Sequence, residues 1–123
     1  MLADMSTQTA AARSLIYGAA VSRGPNGSVF PDPMAAAQAK LFASEAAVKV
    51  TNDALQLFGA KGYSRNTPVE RMVRDARMFT IGGGTAQMLR TLIASKELGM
   101  KLPQTRDGYV VRDLDEAKKE QAA

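Results

Sequence analysis

The sequence predicts an all-α protein, an up-down four-helix bundle. Three observations lead there. Four segments carry apolar residues at the three- and four-residue spacing of a buried helix face. Most of these segments open on a capping residue or close on glycine. The connections are short enough for antiparallel neighbours, and no β-rich stretch or internal repeat breaks the pattern.

The first helix is predicted over residues 2 to about 22. Leu2, Met5, Ala12, Leu15, Ile16 and Ala19 share a face, and Arg23-Gly24-Pro25 ends it. A turn-rich loop, GPNGSVFPDP, leads to Asp32-Pro33, a cap followed by proline at the first helical position. The second helix runs to about residue 58. Ala37, Leu41, Ser44, Val48, Thr51, Leu55 and Phe58 lie along one side, and its many alanines permit close packing. Its apolar stripe is broad, so contact with another chain is expected as well. Gly59 fits the position just past its end, and residues 59–66 read as a polar loop.

The third and fourth helices form a pair hinged on Gly82-Gly83-Gly84, and the rest of the chain is organised around them. Thr67 is expected to cap the third, with Pro68 at the first position and Glu70 three residues after the cap. Val69, Met72, Val73, Ala76 and Phe79 form its buried stripe, and the glycines stop it. Thr85 caps the fourth helix, whose inward face is Met88, Leu89, Leu92 and Ile93 and which ends near Gly99. A glycine turn feeding a capped helix start offers backbone N–H groups to an anionic or polar ligand. Beyond Pro103 the sequence suggests a turn at Arg106-Asp107-Gly108, a short extended Tyr109-Val110-Val111, and a charged helix or frayed tail over 113–123. The domain reading is thus a bundle over 1–102 and a tail over 103–123.

Composition narrows the chemistry. A chain of 123 residues supports one domain with a real core. With no cysteine and no histidine, disulfides, Cys/His metal sites, thiol nucleophiles and imidazole bases are excluded. No apolar run reaches the roughly 20 residues of a membrane span, and no secretory leader is visible, so a cytoplasmic protein without a membrane partner is expected. The net charge of +4 tests the chain as a nucleic-acid binder. Arg71, Arg74 and Arg77 have Asp75 among them, and Lys and Glu alternate in the tail; such mixing predicts an ion-paired surface and no nucleic-acid partner. Arg74 and Asp75 are expected to pair. Glu45 is assigned to the polar face of the second helix rather than to a buried functional acid. The seven methionines are expected to fill gaps between helices.

Two stretches carry a resemblance. Gln56-Leu57-Phe58-Gly59-Ala60-Lys61-Gly62-Tyr63 is followed by Pro68-Val69-Glu70-Arg71, Arg74-Asp75-Ala76-Arg77 and Gly84-Thr85-Ala86-Gln87-Met88-Leu89-Arg90. With Leu2-Ala3-Asp4-Met5, Ala11-Ala12-Arg13 and Ala37-Gln38-Ala39-Lys40 upstream, this succession resembles the C-terminal domain of the acyl-CoA dehydrogenases over residues 1–98. Those flavoproteins oxidise the Cα–Cβ bond of an acyl-CoA, passing hydride to FAD while a carboxylate removes the α-proton.

The resemblance implies FAD as cofactor and acyl-CoA as substrate. Homo-oligomers assembled through these bundles are also implied. Gln56, Leu57, Phe58, Gly59 and Ala60 would meet the ADP portion of an FAD held by a neighbouring subunit. Ala60 stands where the family commonly has glycine. Thr85, Ala86 and Gln87 match a second FAD-contacting segment, and Gly84 matches a residue adjoining the acyl-CoA. Gly83 occupies the place of the catalytic glutamate in the commonest branch of the family. Glycine accepts no proton, so no catalytic residue is assigned in this chain. The resemblance predicts a bundle that supplies FAD contacts and oligomerisation and is inactive alone. The alternative is a helical interaction or scaffold protein that has kept the fold without flavin chemistry and joins a full-length dehydrogenase subunit.

Overall fold

A computed structural model describes residues 1–24 and 27–102, and among them every regular element is helical. The helices are α1 (Leu2–Val21), α2 (Pro33–Phe58), α3 (Ala60–Tyr63), α4 (Val69–Met78) and α5 (Ala86–Glu97). The four expected long helices are all present. The turn, extended piece and terminal helix suggested beyond Pro103 lie outside the described residues, as do Pro25 and Asn26.

Local chemistry explains each boundary. The Ser22 hydroxyl donates to the Ala19 carbonyl at 2.6 Å and accepts the Asp32 amide at 2.9 Å, tying the end of α1 to the start of α2. The Asp32 carboxylate then accepts the Ala35 amide at 2.9 Å, with Pro33 at the first helical position. Such a cap satisfies one of the N–H groups that a helix start leaves without an internal partner. The α2 helix ends at Gly59 as expected.

Four expectations are corrected. Residues 59–66 are not all loop: Ala60–Tyr63 coils into the single helical turn α3 because the Gly59 carbonyl accepts the amides of Gly62 and Tyr63. Thr67 does not cap α4 with its side chain. Its hydroxyl donates back to the Lys61 carbonyl at 2.8 Å, while Pro68 already has helical backbone angles. The α4 helix closes at Met78, before the glycines. Tighter bonds, Thr80 N–H to the Arg77 carbonyl and Ile81 N–H to the Met78 carbonyl, carry the chain on to Gly82. Arg74 and Asp75 do not pair with each other, since adjacent residues point to different sides of a helix. Arg74 binds Glu70, and Asp75 lies 3.8 Å from Arg71.

The arrangement is centred on α2. α1, α3, α4 and α5 each pack against it, the α1–α2 pairing being the most extensive; among the described residues α1 approaches neither α4 nor α5. What lies inside is small. Ala19, Ala37, Ala39, Ala46, Val69, Ala76 and Ala86 are the buried apolar residues, with Ser44 and Thr80 beside them, and no large side chain is fully buried among the described residues. Small residues let helix axes approach closely. They also make a thin core, since apolar burial contributes only about 0.8 kcal/mol per methylene. The expected core and methionine packing are therefore revised. Met72, Met78 and Phe79 are about half exposed, and Leu2, Ile16 and Phe58 also face outward.

Candidate functional site

The resemblance nominated two segments, and the fold sets them apart. The first, residues 56–60, is the end of α2 and the step into α3. Gln56, Leu57, Phe58 and Ala60 are all exposed there, with Leu57 and Phe58 presenting apolar side chains to the surface. Gly59 donates to the Gln56 carbonyl at 3.1 Å, turning the chain so that α3 folds back on α2. That close return is why Gly62 is buried: a Cβ there would stand 2.7 Å from Phe58 Cβ and 3.0 Å from the Leu55 carbonyl oxygen.

The second segment, residues 83–87, joins α4 to α5. Gly83 and Gly84 have φ of 69° and 95°, the left-handed region that side-chain-bearing residues rarely enter. Thr85 caps α5, its hydroxyl accepting the Met88 amide at 3.2 Å. Ala86 is buried and donates its N–H to the Thr80 carbonyl at 2.9 Å, closing the turn, while Gln87 projects to the surface. Thr85 and Gln87 border a small polar cleft of about 160 Å³ with Glu45, Arg77, Thr80 and Arg90. Glu45 is exposed, as expected of a polar-face residue, and binds Arg90 at 2.5 Å, fastening α5 to α2.

Lys40 is the contact that sequence reasoning missed. Its ammonium donates to the Phe79 carbonyl at the C-terminal end of α4 and lies 5.7 Å from the centre of the Phe79 ring. Its Cε is 3.7 Å from where a Cβ on Gly83 would stand, and no other atom crowds that position. Lys40 stands inside the Ala37-Gln38-Ala39-Lys40 stretch already singled out, but no spacing announces a partner 39 residues away.

Lys40 and Glu45 hold the second segment beside the first half of α2, whereas Gln56 is near its far end. At 1.5 Å per residue, the intervening 11 to 16 residues separate the two segments by about 16–24 Å along the helix. One chain therefore does not converge both segments on one small group.

The groups on offer are amide, hydroxyl and backbone N–H donors with acceptors beside them, suited to holding a polar ligand. Gly83 brings no acid or base. Among the described residues there is no group of acidic side chains that could hold a metal ion and no helix long and apolar enough to cross a membrane.

Comparison with known proteins agrees with this architecture. The family model for the acyl-CoA dehydrogenase C-terminal domain matches residues 1–98. A 3-sulfinopropanoyl-CoA desulfinase of Advenella mimigardefordensis is 66% identical over 110 residues, covering 89% of this chain and 26% of the relative. An acyl-CoA dehydrogenase of Bacillus subtilis is 45% identical over 100 residues, covering 80% of this chain and 25% of the relative. The structure of butyryl-CoA dehydrogenase from Megasphaera elsdenii superposes with a TM-score of 0.71 at 40% identity, over 79% of this chain and 24% of that one. The chain thus spans about a quarter of the length of the relatives it matches. With the helical fold, the order of the motifs and the match over 1–98 in agreement, the chain belongs to the acyl-CoA dehydrogenase family, as its C-terminal helical domain.

Proposed function

We propose that this chain is the C-terminal bundle of a flavoprotein that acts on acyl-CoA thioesters, in the branch that includes 3-sulfinopropanoyl-CoA desulfinase. One observation carries the finer assignment: 66% identity to a desulfinase against 45% to a dehydrogenase, over similar lengths. The chemistry at Gly83 is compatible with this branch without deciding it, because some branches of the family carry the carboxylate on an earlier helix. Dehydrogenation needs a carboxylate to take the α-proton, and glycine has none. Replacing a sulfinate by hydrogen, with water giving hydrogen to carbon and hydroxide to sulfur, involves no net oxidation and does not require that carboxylate at the α-carbon.

The residues fit a flavin nucleotide in kind. Gln56 and the backbone of Gly59 and Ala60 would meet the ADP portion of an FAD in a neighbouring subunit. Thr85, Ala86 and Gln87 would contact a second FAD, and Gly84 would let the acyl chain approach the backbone closely. When bound, FAD supplies the family's redox-active ring. The separation of the two segments along α2 supports their serving different cofactor molecules, so an oligomer is integral to the proposal.

The outward-facing apolar residues are assigned to that assembly. A groove of about 500 Å³ between α1 and α2, lined by Ala12, Ile16, Tyr17, Ala43, Ala46 and Val50, is wide enough for side chains of another segment. Alone, the bundle is expected to self-associate and to titrate with FAD without stoichiometric binding.

A hybrid enzyme tests the assignment: the matched 110-residue segment of the Advenella desulfinase is replaced by this chain. The hybrid is expected to purify yellow, to release sulfite from 3-sulfinopropanoyl-CoA, and to leave butyryl-CoA unoxidised with an artificial electron acceptor. Oxidation of butyryl-CoA would return the assignment to a dehydrogenase. A folded, oligomeric but colourless and inactive hybrid would favour the interaction protein, the reading that Gly83 alone also permits.

A further inference from the structure

We propose that Lys40 is the positioning residue of the glycine turn, setting where Gly84, Thr85 and Gln87 stand relative to α2. The inference rests on the proposed role of those three residues, and on geometry that is independent of it. The Phe79 carbonyl lies at the negative end of the α4 dipole, among the carbonyls that a helix leaves without internal partners. The Lys40 ammonium satisfies this one, and its position over the Phe79 ring adds a second attraction for the same charge. The lysine stem then passes within 3.7 Å of the Cβ position of Gly83, so the chain immediately after α4 is bounded on one side by Lys40.

On its other side the turn is fastened by Glu45 and Arg90 at 2.5 Å. The turn is therefore held to one helix before and after its glycines. It needs such ties, because three consecutive glycines have the widest choice of backbone conformations of any tripeptide. A mobile turn here would displace the Thr85 cap and, through it, the start of α5. Removing only the ammonium should loosen the turn without unfolding the bundle, since Lys40 is not among the buried residues that form the core.

The test compares Lys40→Met, which keeps the apolar stem, with Lys40→Arg, which restores a cation and donors. Hydrogen–deuterium exchange of this chain reads the two bonded amides of the turn, Gly82 to the Met78 carbonyl at 2.8 Å and Ala86 to the Thr80 carbonyl at 2.9 Å. Losing one charge-assisted bond is expected to speed their exchange by about tenfold in Lys40→Met. Exchange in α1 should be unchanged, and Lys40→Arg should recover most of the protection. In the hybrid enzyme, Lys40→Met should raise KM for the acyl-CoA and lower FAD content, and Lys40→Arg should recover both.

Unchanged exchange at Gly82 and Ala86 would overturn the proposal, as would equal loosening of every helix. If exchange responds as expected but the parent hybrid itself lacks activity, the positioning role stands and the functional assignment fails.

Discussion

Adding a single methyl group at Gly62 is expected to cost about 1–3 kcal/mol, the usual range for overpacking a site that cannot relax. The atoms in its way are Phe58 Cβ and the Leu55 carbonyl oxygen, both fixed by α2, so neither can swing aside as a long side chain could. Urea unfolding of Gly62→Ala should show a lower midpoint; a midpoint equal to that of the parent would mean that α3 does not close down on α2 in solution. Because Gln56 and Ala60 flank this return, the same variant should weaken flavin retention in the hybrid enzyme. At this scale the sequence was only partly legible. The caps Asp32 and Thr85 follow from side-chain chemistry acting over three residues, and both are found as expected. Thr67 was misassigned because its hydroxyl had two possible bonds, and the distant one to Lys61 is made only once α3 has formed.

Helix-scale expectations concern how the elements meet. Ala37 is 3% exposed on α2, and a larger side chain there would push a neighbouring helix off its seat. Ala37→Leu is therefore expected to lower stability by about 1–3 kcal/mol in spite of its greater hydrophobicity. Thermal unfolding followed by circular dichroism checks this, and a stabilised variant would show that α2 has spare room. On the solvent side of the same helix, Lys49 donates to Asp53 at 2.9 Å, and that bond with the carboxylate's charge raises the lysine above its ordinary range. A raised value means the pair's support is complete below the ordinary lysine value and is lost as pH climbs through the folded one. Helicity should fall slightly more above about pH 10 in the parent than in Lys49→Met; identical titrations would show that the pair contributes nothing. The four long helices were readable because each has a period and punctuation of its own. The α3 turn was not, since four residues are too few for periodicity. Nor could apolar spacing reveal that Leu2, Leu15 and Ile16 on α1 and Met72 and Phe79 beside the buried Val69 and Ala76 of α4 would stay exposed, because it marks a face without naming what covers it.

For the molecule as a whole, the mismatch between a small-residue interior and large apolar residues outside ties stability to assembly. The melting temperature should rise with protein concentration, as it does whenever association favours the folded form. A melting temperature independent of concentration, with a monomeric mass by gel filtration, would remove the oligomer from the proposal. The way α2 serves its neighbours has a further consequence. Because, among the described residues, α1 packs on α2 but on neither α4 nor α5, it can peel away without disturbing the other side of the spine. Native-state exchange should then resolve two cooperative opening units, one led by α1 and one holding α4, α5 and the glycine turn. A single opening event shared by all helices would contradict this. A chain divided in that way could shed and regain α1 as subunits separate and rejoin while the turn next to Lys40 keeps its shape.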